Sequence, residues 1–69
     1  MNLGKNIKYF REKQGLTQEQ LGKLLHVTKV SISCYENEKR TPSVEALIKL
    51  SNIFKVTLDD LVKGEKYKT

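Results

Sequence analysis

Cysteine, histidine, proline and methionine occur once each in these 69 residues, and tryptophan does not occur. A lone Cys34 cannot form an intramolecular disulfide, and with His26 as the one imidazole there is no ligand set for zinc. One histidine and one cysteine also supply no nucleophile with its base. The carboxylates are scattered, and the adjacent Asp59 and Asp60 point to different sides of any helix. No glycine-rich loop is present to cradle a phosphate. Neither an enzyme nor a cofactor is therefore expected. No run of 18 apolar residues exists and no apolar signal segment follows Met1, so neither a membrane span nor a secretion route is expected, and the location is read as cytoplasmic.

Sixty-nine residues allow one domain, near the size at which a single hydrophobic core is marginal. Hydrophobic residues make up 38% and charged residues 30%, which suits a compact chain rather than a disordered one. The net charge is +5. Residues 1–42 hold eight basic and four acidic side chains, whereas 43–69 hold five and four. Excess charge thus lies in the first two thirds, favouring an anionic partner on that side, although many small domains are modestly basic for solubility alone.

The most informative stretch is Leu16 to Asn37. Thr17 has the hydroxyl of an N-cap, Gln20 stands three residues on to close a capping box, and Leu16 can staple onto Leu21. Eleven residues later Thr28 repeats the signal, with Val27 before it and Ile32 in the staple position, although Ser31 is a poorer box partner than Gln20. Helices are predicted at about 18–25 and 29–36. The three residues left between them are too few for an antiparallel return, which predicts a bent helix-turn-helix pair. Gly22 costs about 1 kcal/mol relative to alanine inside a helix.

At about 100° per residue, Thr28, Ile32, Tyr35 and Glu36 share one side of the second helix. Lys29, Val30, Ser33 and Asn37 fall nearly opposite, with Cys34 at their edge. The second group is a candidate surface for reading double-stranded DNA. Lys29 suits a phosphate or a guanine edge, Ser33 a base or a phosphate, Val30 a thymine methyl, and Asn37 a phosphate or an adenine. Any amphipathic surface helix would show a comparable division. Cys34 has three readings: a small packing residue, a base contact or a redox-sensitive thiol.

Around this stretch the chain reads as three further helices. The first, over 3–14, places Leu3, Ile7 and Phe10 on an inward stripe and ends at Gly15. After the loop EKRTP, Ser43 caps a fourth helix carrying Val44, Leu47, Ile48, Leu50, Ile53 and Phe54. Thr57 starts a short fifth helix, with Asp59 and Asp60 favourably near its N-terminus, which ends at Gly64. The domain is taken as 1–64 and residues 65–69 as a frayed tail. The fold class expected is all-α, with five helices.

TQEQLGKLLHVTKVSISCYENEKRTPSVEALIKL, with its Thr-Gln opening, apolar-Thr turn, Ile-Ser centre, Glu-Asn, basic pair and Pro-Ser, resembles the lambda-repressor-like (Cro/cI-type, XRE) helix-turn-helix family. The likeness extends over about 3–62. It implies a DNA-binding transcriptional regulator, most simply a repressor acting as a homodimer on a short inverted repeat, and it implies no particular small-molecule effector. It implies base contacts from Lys29, Val30, Ser33 and Cys34, and backbone contacts from Gln18, Thr28 and Asn37. Lys39 and Arg40, in the loop after the helix, join the backbone set. The resemblance also pairs Arg11 with Glu36 inside the domain, where the bland reading is a solvated arginine, and it suggests a close approach of the recognition helix across Gly22.

Two positions depart from the family pattern. His26 and Glu38 stand where glycine is usual, and a positive φ at either would be strained. The apolar surplus of the last two helices suggests a partner surface from Ile53, Phe54, Leu58 and Val62, unless these residues only complete the core. A protein-interaction module of the same fold, such as an antitoxin, is the alternative function.

Overall fold

The computed structural model describes residues 2–64. Five helices follow one another: α1 (Leu3–Lys13), α2 (Gln18–Leu25), α3 (Lys29–Glu36), α4 (Val44–Phe54) and α5 (Leu58–Lys63), and no strand occurs among the described residues. The expected frayed tail, 65–69, lies outside them.

Local chemistry sets most of the helix boundaries. The hydroxyls of Thr17, Thr28, Ser43 and Thr57 each accept the backbone N–H three residues on, starting α2, α3, α4 and α5. Only α2 closes the reciprocal box, because the Thr17 N–H also donates to Gln20 Oε1 over 2.8 Å. At the start of α3 the Ser31 hydroxyl instead meets that of Thr28 at 3.3 Å. Helix α1 ends one residue before the expected position, at Lys13. Gly15 then takes φ +73°, and the Leu16 N–H reaches back to the Arg11 carbonyl over 3.0 Å. Glycine accepts that left-handed conformation without a Cβ penalty.

Leu3, Ile7 and Phe10 from α1 meet Leu21 and Leu25 from α2, Ile32 and Tyr35 from α3, Leu50 and Phe54 from α4 and Leu61 from α5 in one core. Burying each large aliphatic side chain is worth about 1.5–3 kcal/mol. Phe54, expected on the partner surface, is corrected to a core residue. It is 4% exposed and its ring stacks on Phe10 with centroids 5.8 Å apart. Helix α1 packs against α3, α4 and α5, so it serves as the central support. Within it Asn6 is buried, and its side-chain amide donates to the Leu61 and Val62 carbonyls over 2.9 and 3.0 Å. These bonds satisfy carbonyls in the last turn of α5, which have no partner inside their own helix.

Candidate nucleic-acid interface

The turn between α2 and α3 fixes where α3 points. His26 leaves α2 in the left-handed region at φ 61°, and the Val27 N–H then bonds the Gly22 carbonyl over 2.8 Å. A Cβ on Gly22 would stand 2.8 Å from the Val27 oxygen. The close approach across Gly22 is therefore made by the Val27–Thr28 backbone that leads into α3, rather than by the body of that helix. Glu38, at φ 62°, is likewise left-handed.

Behind α3 lies an ionic network. Arg11 Nε donates to Glu36 Oε2 over 2.6 Å, Nη2 to Oε1 over 3.4 Å, and Nη1 to the Leu16 carbonyl over 2.7 Å. The two residues are 7% and 9% exposed. Gln18, at the start of α2, adds its amide N–H to Glu36 Oε1 over 3.0 Å. One carboxylate thus holds the first turn of α2 and the last turn of α3 against α1. Gln18 consequently turns one donor inward, and the rest of its half-buried side chain borders a shallow cleft of about 420 Å³ with Gly15, Thr17, Glu19 and Lys29.

On the outer side of α3, Lys29, Val30 and Asn37 are exposed, and Ser33 and Cys34 are half-buried. Val30 is 62% exposed, an apolar side chain presented to solvent among polar ones. Asn37 Nδ2 donates to Ser33 Oγ over 3.2 Å, linking two of these residues along the helix. Cys34 is a free thiol. Thr28 spends its hydroxyl on the N-cap and remains exposed. Lys39 and Arg40 are both exposed, and their backbone N–H groups both donate to the Cys34 carbonyl, over 2.9 and 3.3 Å, so the loop folds back onto α3. The guanidinium of Arg40 bonds Ser31 Oγ over 3.0 Å.

Among the features missed in the sequence, three concern the segments that flank α3. Asn2, the N-cap residue of α1, makes no side-chain cap bond, and the Glu38 carboxylate accepts the Gly4 N–H instead. The anion at Glu38 therefore serves α1, where a carboxylate near a helix N-terminus is favourable. Gly4 itself lies against the last turn of α3: an added Cβ would stand 2.7 Å from the Tyr35 oxygen and closer still to that of Glu36. The third is the Arg40–Ser31 bond. All three join residues far apart in sequence, and none leaves a local signature beyond a glycine near a helix start.

A short second helix capped by Thr17, a left-handed turn and a third helix with one buried and one open side define a helix-turn-helix module. Residues 7–61 match the helix-turn-helix family, and the chain belongs to it. Among curated relatives, the transcriptional regulator ImmR of Bacillus subtilis is 39% identical over 62 residues, covering 90% of this chain and 49% of its own. The transcriptional activator BcrR of Enterococcus faecalis is 38% identical over 66 residues, covering 96% of this chain and 32% of its own. The chain thus spans from a third to a half of the length of these relatives. Among solved structures, the c2 repressor of phage P22 in complex with a synthetic operator superposes with a TM-score of 0.82 at 33% identity, covering 88% of this chain and 92% of that one. The fold is therefore that of the lambda-repressor-like domains.

Proposed function

We propose that this chain is a sequence-specific DNA-binding transcriptional regulator, a repressor that acts as a homodimer on a short inverted repeat with α3 in the major groove. The observation that carries the reading is the outer side of α3, where Lys29, Val30, Ser33 and Asn37 stand together while Ile32, Tyr35 and Glu36 close the opposite side. An exposed valine between hydrogen-bonding residues suits a groove that offers thymine methyls beside donors and acceptors. The solved P22 c2 complex with an operator supports this use of the fold. In this reading Cys34 adds a base contact, and Gln18, Thr28, Asn37, Lys39 and Arg40 hold the backbone. The Arg11–Glu36 pair keeps α3 in register with α1, and the Gln18 bond to Glu36 adds α2.

Two copies would set their α3 helices about one DNA turn apart, roughly 34 Å. Ile53, Leu58 and Val62 are the residues proposed for the contact, Leu58 being 41% exposed. The testing experiment is selection from a random duplex pool at physiological salt, where non-specific binding by a +5 chain is weak. Recovery of a short inverted repeat is expected. An unenriched pool would overturn the reading.

A further inference from the structure

Arg40 belongs to the loop beyond α3, yet that loop is fastened to the helix at three points, two of them made by Arg40 itself. Its own N–H and that of Lys39 bond the Cys34 carbonyl, and its Nη1 bonds Ser31 Oγ. Ser31 Oγ in turn meets the Thr28 hydroxyl at 3.3 Å, and Thr28 Oγ1 accepts the Ser31 backbone N–H over 3.1 Å. A chain of bonds therefore runs from the N-cap of α3 through Ser31 to the guanidinium. Around the helix axis, at about 100° per residue, Ser31 lies roughly 100° to one side of Val30 and Lys29 roughly 100° to the other. The open side of α3 is bracketed by two cations, one on the helix and one folded back from the loop.

We propose that Ser31 is a positioning residue for Arg40, holding the guanidinium along one edge of α3 so that it meets a backbone phosphate on the groove wall opposite the one that Lys29 and the start of α2 face. The inference rests on the DNA-binding reading above. An arginine side chain free in solution loses much rotamer entropy when it docks. Here part of that ordering is done before binding, because Ser31 fixes one end of the guanidinium fork. The remaining N–H groups of the fork are left for two phosphate oxygens, a geometry arginine matches better than lysine. Ser31 carries no charge, so its contribution passes through Arg40 and adds no counterion release of its own.

The test is a double-mutant cycle of S31A and R40A, with Kd measured across a salt series on a duplex bearing the selected repeat. The S31A chain keeps its N-cap, because Thr28 accepts a backbone N–H, and alanine is a good helix former. Arg40→Ala should weaken binding and lower the salt slope by about one. Ser31→Ala should weaken binding roughly threefold, the scale of one net hydrogen bond, and leave the salt slope intact. In the R40A background the same change should have no effect. An equal loss in both backgrounds, or none in the wild type, overturns the proposal.

A second readout needs no DNA. ¹⁵N relaxation at Arg40 Nε should show an ordered side chain in the free wild-type chain and a mobile one after Ser31→Ala, and equal mobility in both would overturn the positioning role. If the wild type bound no duplex while the relaxation contrast held, the DNA reading would fail and the Ser31–Arg40 link would stand.

Discussion

Arg11 in α1 and Glu36 in α3 meet at 2.6 Å, both almost wholly buried, and Gln18 of α2 shares the same carboxylate. Three helices are thereby joined at one charge. Removing one partner leaves the other buried and unpaired, which costs about 3–5 kcal/mol. Arg11→Met should lower the stability by that amount in urea unfolding. Arg11→Met combined with Glu36→Leu should recover a large part of it, since no charge is then stranded. A single variant as stable as the wild type would mean that the pair adds nothing.

Two of the three left-handed non-glycine residues among those described, Lys55 and Glu38, make a contrasting pair. Lys55, at φ 59° after α4, makes no side-chain hydrogen bond among the described residues. Replacing it with glycine removes a conformational cost of about 1–2 kcal/mol and restores some unfolded-state entropy, for a net gain of about 0.5–1 kcal/mol. Glu38→Gly gains the same relief but loses the carboxylate on the Gly4 N–H, a capping interaction worth about 1 kcal/mol. Its net effect should be near zero. Thermal melts of the two variants would decide, and equal gains would show that the Glu38 cap contributes nothing.

Glycine is needed at Gly4 and Gly22 because of what approaches it. Alanine should gain about 1 kcal/mol of helix propensity at each. At Gly4 the new Cβ would press on the Tyr35 and Glu36 oxygens, and at Gly22 on that of Val27. These are backbone atoms that cannot rotate away, so overpacking of about 1–3 kcal/mol should prevail. Both variants should melt below the wild type. Gly22→Ala should also impair DNA binding in the surviving folded fraction, because Val27 and Thr28 lead directly into α3.

What could be read from the sequence was what a few neighbouring residues determine. Thr17 with Gln20, Thr28, Ser43 and Thr57 are local caps, and they placed α2 and α3 to the residue. Leu3, Ile7 and Phe10 marked the buried stripe of α1 through their spacing alone. Contacts between distant segments left no such mark. Asn6 reads as an ordinary polar residue until α5 lies across it, and Glu38 reads as a surface anion until Gly4 is beside it. Phe54 was ambiguous for the same reason: helix α4 has more apolar residues than one stripe needs, and only packing against Phe10 separates the core residue from exposed Val44 and Ile48. Of the candidate site, the division of α3 into two sides was legible from angle, whereas the Ser31–Arg40 and Ser33–Asn37 bonds required the fold.

Homodimer formation separates Leu58 from Phe54. Leu58→Glu places a charge on an exposed apolar position and should leave the melting temperature nearly unchanged while shifting sedimentation toward a single 8.0 kDa species. Phe54→Ala should instead cost about 3–5 kcal/mol of stability as a core truncation. A wild-type chain that sediments only as the 8.0 kDa species at micromolar concentration would remove the dimer from the proposal.

Base reading and backbone contact should separate by their dependence on sequence. Lys29→Ala, Val30→Ser and Ser33→Ala each alter the open side of α3, and each should change which bases are preferred, by about 1–3 kcal/mol at the affected position. Gln18→Ala and Lys39→Ala should weaken binding to all duplexes alike, and only the lysine loss should flatten the salt slope. Lys29 is the decisive residue, because it borders the cleft at the start of α2 as well as the open side of α3. A changed base preference in a selection with K29A would make it a reader of guanine. A uniform loss with a flatter salt slope would make it a phosphate contact instead, leaving recognition to Val30, Ser33 and Cys34.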